Sequence, residues 1–231
     1  RTPLGAALHT GDWKLEESPL TSAPTDAVRL KQRGEEGLSA LICDSTNAVR
    51  DGVSPSEADV AATLARLIRE APQLVAVTTF ASNVARISSV ANAARAAGRE
   101  LGVVGRAMFR VIEAAQATGY LDPDLPFHEE TALAKLPRRN VVALCTGSQG
   151  ESRAAMARIA QAEHPNVKLE EGDRVIFSSR TIPGNEKAVA RVQNALADME
   201  VEVITDQDAP VHVSGHPRRG ELEQLYGWVK P

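Results

Sequence analysis

Apolar residues follow two rhythms along this chain. Short continuous apolar runs alternate with longer stretches in which apolar positions recur every three or four residues. The run LVAVTTF (74–80) predicts a buried strand, and ELGVVG (100–105), NVVALCTG (140–147), DRVIFSS (173–179), VEVITD (201–206) and the short LSALICD (38–44) predict strands. The periodic stretches predict helices over 54–71, 83–98, 106–119, 152–163, 185–199 and 219–229. In the first of these, Ser54 is placed to cap, Pro55 to take the first helical position and Glu57 to complete a capping box. Its residues Val60, Leu64, Leu67 and Ile68 share one face. Gly98 and Gly119 end the next two helices. The polar stretch STNAVRDGVSP reads as a linker, and 120–139 as a polar connection with room for one short helix. Within that connection HEE (128–130) reads as a solvated loop face. The opening RTPLGAALHTGDWKL reads as sheet.

Strand and helix alternate from about 55 to 205, which implies an α/β fold with a mostly parallel sheet flanked by helices. Ligands of such sheets sit outside the carboxyl ends of the strands. The tips to inspect are ASN (81–83), GRAM (105–108), TGSQGES (146–152), SSRTIPGN (178–185) and TDQDAPVHVSGH (205–216). Glycines, hydroxyls and arginines there suit an anion, because free N–H groups at helix starts bind phosphate. The same residues also serve as ordinary turns and caps. TGSQGES is not a P-loop, and no GxGxxG occurs. HVSGHPRR (212–219) sets two histidines beside a serine and two arginines, with Gly215 and Pro217 favouring a loop. Asp12 in HTGDWK and Asp44 in DSTN each follow a strand; each is either a turn residue or a metal ligand.

Composition narrows the classes. Aromatics are 3% of the 231 residues while alanine is abundant, which suits helices packed closely on a sheet and argues against RNA recognition by stacked aromatics. The formal charge is -4, so any nucleic-acid contact must be a local groove and not a general basic surface. Cys43 and Cys145 lie in apolar runs and read as buried reduced thiols; neither CxxC nor zinc-finger spacing occurs. No apolar run approaches membrane-spanning length and no signal peptide is seen, so a cytoplasmic protein is the simplest reading.

The segments HTGDWK, CDSTN, TTFASNVARI, VVGRAM, LCTGSQGE, FSSRTIPGNE and HVSGHPRR, in this order and spacing, closely resemble the bacterial ribonuclease J family. That family joins a metallo-β-lactamase domain to an inserted β-CASP domain. The resemblance covers essentially the whole chain. It implies a β-CASP domain over 53–205, with 1–52 and 206–231 as parts of the metallo-β-lactamase domain. It further implies a zinc-dependent ribonuclease of RNA processing and decay, acting both 5′-to-3′ and internally on single-stranded RNA, and assembled as a dimer or tetramer. A preference for a 5′-monophosphate end and no role for a membrane go with it.

By the same resemblance Asp12 matches the aspartate that bridges two zinc ions. Asp44 matches the acidic residue of the first β-CASP motif, and His216 the histidine of the second. The family's HxHxDH motif, a further histidine and a final VHGE histidine have no match in these 231 residues, so the chain reads as a fragment, nearly inactive alone. A histidine suits proton donation to a leaving oxygen near neutral pH, and a neighbouring carboxylate orients it, which fits His216 and Asp44. His212 and Ser214 are candidates to hold the scissile phosphate. For a 5′-phosphate pocket the first choices are Ser148, Gln149 and Gly150, followed by Ser82, Arg106, Ser178, Ser179 and Arg180. The rival reading is a non-catalytic α/β module that binds RNA or mononucleotides through a terminal phosphate.

Overall fold

A computed structural model describes all of residues 1–231. The chain divides into two compact units, one of Glu57–His212 and one of Arg1–Ser56 with Val213–Pro231.

The larger unit is built on six parallel strands: β3 (Val75–Thr78), β4 (Glu100–Val104), β5 (His128–Glu129), β6 (Val141–Cys145), β7 (Arg174–Phe177) and β8 (Glu202–Ile204). Their order across the sheet is β5-β4-β6-β3-β7-β8. Every residue of β3 and β6 is buried, because helices cover both faces of a parallel sheet. This is why their sequences run continuously apolar and do not alternate. The helices are α2 (Glu57–Glu70), α3 (Val84–Ala96), α4 (Arg106–Ala117), α5 (Glu130–Leu133), α6 (Ala155–Ala160) and α7 (Glu186–Asp198). Helix α2 buries Val60, Leu64, Leu67 and Ile68, the face its periodicity predicts. Helix α3 buries mostly small residues, among them Ser89, Ala91, Ala93 and Ala94. Asp173 ties the amino ends of β3 and β7: it is buried and accepts the Leu74 N–H at 3.1 Å, the Glu170 N–H at 2.8 Å and the Arg138 guanidinium.

In the smaller unit β1 (Ala7–His9) and β2 (Ala40–Ile42) form a parallel pair, with His9 opposite Ile42. Helix α1 (Ala27–Glu35) lies against α8 (Arg219–Val229), and the Lys31 ammonium stands 5.7 Å from the centre of the Trp228 ring.

Four expectations need correction. Helix α2 starts at Glu57, and the Ser54 hydroxyl is bonded to Glu221 at 2.6 Å, so Ser54 does not cap it. The connection 120–139 holds the edge strand β5 as well as α5, and HEE is not a loop: His128 and Glu129 pair with β4. Helix α1 has no counterpart in the prediction, since it buries no residue and so carries no apolar stripe. Cys145 is buried as expected, whereas Cys43 is only partly so.

His164 supplies a test of the packing around α5. Its Nδ1 accepts the N–H groups of Asn166 and Val167 at 3.4 and 3.2 Å, and its Nε2 lies 3.7 Å from Glu130. Burial pushes its pKa below the ordinary 6.5; Glu130 opposes this without prevailing, and Arg158 adds to the lowering. A histidine held neutral in the fold is protonated first in the unfolded chain. Stability is therefore full above 6.5 and is lost as pH falls from there toward the lowered folded value. Urea midpoints at pH 7.5 and 5.5 should drop more for the wild type than for His164→Gln; equal drops would contradict this account.

Candidate active site

The carboxyl ends of β1 and β2 carry the first cluster. Past β1 the Thr10 N–H still bonds to the Ile42 carbonyl at 3.1 Å, and the chain then turns at Gly11, whose φ is +61°. Asp12 leaves this turn exposed. Past β2 the Asp44 N–H donates to the Thr10 hydroxyl at 3.2 Å, and the Trp13 indole donates to the Asp44 carbonyl at 3.3 Å. Thr10 and Trp13 thus hold the two strand ends side by side. Asp44 Oδ1 accepts both the N–H and the hydroxyl of Thr46, at 2.9 and 2.6 Å. Its other oxygen lies 2.8 Å from His216 Nδ1.

His216 sits on a loop, as Gly215 and Pro217 suggest. Asn47 fixes that loop, donating to the Ser214 hydroxyl at 2.9 Å and to the His216 carbonyl at 3.3 Å. The Ser214 hydroxyl also accepts the His216 N–H at 3.2 Å. Asp12, Asp44 and His216 then offer ligand atoms that all lie within 4.8 Å of one another. Burial pushes the Asp44 carboxyl up, but the Thr46 hydroxyl, the Thr46 N–H and His216 outweigh it, so its pKa lies below the ordinary carboxylate value. An ionised Asp44 only accepts, which puts the Nδ1 hydrogen of His216 between them and turns Nε2 outward. The trio offers one exposed carboxylate and one oriented imidazole able to carry a proton.

The second cluster lies at the carboxyl ends of β6, β3 and β7, which are neighbours in the sheet. Arg86, 0% exposed, is its centre. Its guanidinium donates to the Ser178 hydroxyl at 2.6 Å, the Ser178 carbonyl at 3.1 Å, the Val211 carbonyl at 2.9 Å and Glu57 at 2.8 Å. The Ser178 hydroxyl in turn donates to the Val211 carbonyl at 2.7 Å, so both its hydrogen and one lone pair are committed. The Gln149 amide is likewise committed: it donates to the Arg180 carbonyl at 2.9 Å and accepts the Ile182 N–H at 2.8 Å. Gly150 lies so close to α7 that a Cβ would come within 2.5 Å of the Ala188 backbone, and its φ of +73° disfavours other residues as well. These three residues build the tip.

Ser148 is 2% exposed, and none of the hydrogen bonds that build the tip runs from its hydroxyl. Ser179 is buried beside Arg180, whose side chain is exposed. Ser82 is exposed in the turn before α3. Arg106 lies at the tip of β4, where it lines a cleft of about 710 Å³ with Phe109, Arg110 and Glu113. His212 is half-buried at the end of the larger unit. Sequence reasoning did not identify Asn47, Arg86 or Glu221. Asn47 and Arg86 stand inside CDSTN and TTFASNVARI, and each had a signal there. Arg86 is a charge in a helix whose small apolar residues hide which face is buried.

A family model described as ribonuclease J, β-CASP domain, matches residues 72–196, more than half of the chain. Over 231 aligned residues the chain is 53% identical to a protein named Ribonuclease J from Sinorhizobium meliloti, covering all of this chain and 41% of that protein. It is 44% identical over 232 residues to Ribonuclease J of Corynebacterium glutamicum, covering 100% of the chain and 32% of the relative. Against Ribonuclease J of Thermus thermophilus the identity is 40% over 231 residues, again with the whole chain matched and 40% of the relative covered. The chain thus spans some two fifths or less of the curated relatives it matches.

The role given to Arg86 has a thermodynamic test. Removing one member of a buried, hydrogen-bonded charge pair costs about 3–5 kcal/mol. Arg86→Met should show a loss of that size in urea denaturation, and Arg86→Lys should recover little, since one ammonium cannot reproduce the fork to Ser178, Val211 and Glu57. A folded Arg86→Met chain of wild-type stability would remove Arg86 from the centre of the tip.

Proposed function

The chain belongs to the ribonuclease J family and carries its β-CASP domain, and from that premise we propose that it is part of a metal-dependent ribonuclease that hydrolyses single-stranded RNA. The observation that carries this reading is the meeting of Asp12, Asp44 and His216 within 4.8 Å at the ends of two parallel strands. Asp12 fits a metal ligand: it is an exposed carboxylate beside the pair, and oxygen and nitrogen donors suit zinc. We assign it to a centre of two zinc ions in the intact protein. When bound, such ions activate a water and polarise the phosphodiester.

The remaining steps fall to the chain's own residues. His216 gives the proton from Nε2 to the leaving oxygen, and Asp44 holds and orients the ring at 2.8 Å. Ser214 accepts two hydrogen bonds, from Asn47 and the His216 N–H, which leaves its own hydrogen to donate to a phosphate oxygen. We assign a phosphate contact to His212 as well, at the end of the larger unit.

At the strand tips of the larger unit the hydroxyls of Ser148 and Ser179 with the charge of Arg180 form the 5′-monophosphate pocket. Gln149, Gly150 and Ser178 shape that pocket, while Ser82 and Arg106 stand on its margin. A pocket for the 5′ end explains a 5′-to-3′ mode, and an RNA that bypasses it is cut internally. Because the chain carries a charge of -4, RNA attraction is local and centred on this phosphate. Cytoplasmic RNA processing and decay by a homo-oligomer complete the reading; no helix is long and apolar enough to cross a membrane.

One observation favours the rival module for these 231 residues taken alone. With Asp44 and His216 assigned to the proton transfer, Asp12 is the single assigned metal ligand among the three clustered side chains, whereas a catalytic zinc has about three. The expected outcome is therefore that a protein of the relatives' length cleaves 5′-monophosphorylated RNA faster than 5′-hydroxyl RNA, and Ser148→Ala erases the difference. The 231-residue chain should not cleave. Cleavage by that chain at the rate of the longer protein, or equal rates on both RNA ends, would overturn the assignment.

A further inference from the structure

Asp12, Asp44 and His216 arrive on three separate segments, and a buried carboxylate joins two of those segments from behind. Glu221, 1% exposed in the first turn of α8, accepts four hydrogen bonds. Its Oε1 takes the Leu15 N–H at 2.9 Å. Its Oε2 takes the Arg218 N–H at 2.8 Å, the Ser54 N–H at 2.9 Å and the Ser54 hydroxyl at 2.6 Å. Leu15 lies three residues after Asp12, and Arg218 two residues after His216. Ser54 also stands 3.3 Å from the His216 carbonyl.

We infer that Glu221 is a positioning residue of the active site, fixing the Asp12 segment and the His216 loop at the separation that the chemistry needs. The inference rests on the ribonuclease reading for its catalytic meaning. Only an acceptor-only group with two oxygens takes N–H groups from both sides at once. Glutamine has one such oxygen and presents an NH₂ group to the other set, so it must lose either Leu15 or the Ser54 and Arg218 donors. The amino end of α8 helps to hold the negative charge. Glu221 touches none of the three reacting side chains, so its influence passes through the backbone.

The test separates position from mere stability. In the intact ribonuclease, Glu221→Gln should lower kcat on 5′-monophosphorylated RNA by ~10²-fold with KM unchanged, as expected when reacting groups are misplaced by about 1 Å. In the 231-residue chain the imidazole ¹⁵N resonances of His216 should move in Glu221→Gln and, less, in Ser54→Ala, while those of His128 stay. If Glu221→Gln does not fold, Ser54→Ala carries the same two readouts. Unmoved His216 resonances with an unchanged kcat in a folded variant would overturn the inference, and so would a loss expressed wholly in KM. A wild-type protein that does not cleave RNA would refute the ribonuclease reading alone, and the His216 resonances would then decide the role of Glu221.

Discussion

The hydrogen bond between Asp44 and His216 is the contact on which the smaller unit is organised. It needs a carboxylate at the end of one strand to meet an imidazole from a loop near the other end of the chain, at 2.8 Å. Parallel pairing of β1 with β2 sends both strands toward the same edge and brings Thr10 beside Asp44. The Asn47 side chain gathers the loop from the other side. Two hydrogen bonds from Thr46 then keep Asp44 ionised despite its burial, so the imidazole always faces an acceptor. Each support is short-ranged, and together they fix a pair separated by most of the sequence.

The larger unit solves a different problem with the same physics. A buried guanidinium must find its acceptors inside the protein, because leaving them unmade costs several kcal/mol. The two terminal nitrogens of Arg86 find them on Glu57, at the tip of β7 and in the segment that ends at His212, and so order that end of the sheet, while its Nε is left without a partner. Its neighbours follow suit. Gln149 bonds its amide to the loop after β7, and Gly150 lets its own loop, after β6, come close to α7. Gln149, Gly150 and Ser178, which look like ligands in the sequence, thus serve as the frame of the tip.

Periodicity made most of the fold legible. The α2 stripe and the unbroken β3 and β6 runs were readable because burial on one face or on two leaves distinct patterns. Helix α1 left none, because it buries no side chain. The two-residue strand β5 left none either, because its identity comes from pairing with Gly102 and Val103 and not from its own residues. Asp44 and His216 were visible as members of short motifs. Glu221 was not, since a glutamate in the first turn of a helix is ordinarily only a cap. Its other partners, Leu15 and Ser54, lie far away in sequence and are backbone or hydroxyl groups that no pattern marks.

Arg86 also has a topological consequence. Glu57 opens the larger unit and Val211 stands one residue before its end, and both bond to the same guanidinium. The two ends of an insertion are thereby held within the span of one side chain, by a contact internal to the insertion. Closing a long loop has an entropic cost that grows with its length. Here the insert closes itself, and the surrounding chain has only a short gap to bridge. Such a segment is a cassette: it can be gained, exchanged or excised between the same two flanks while the loop-closure entropy of its host stays nearly constant.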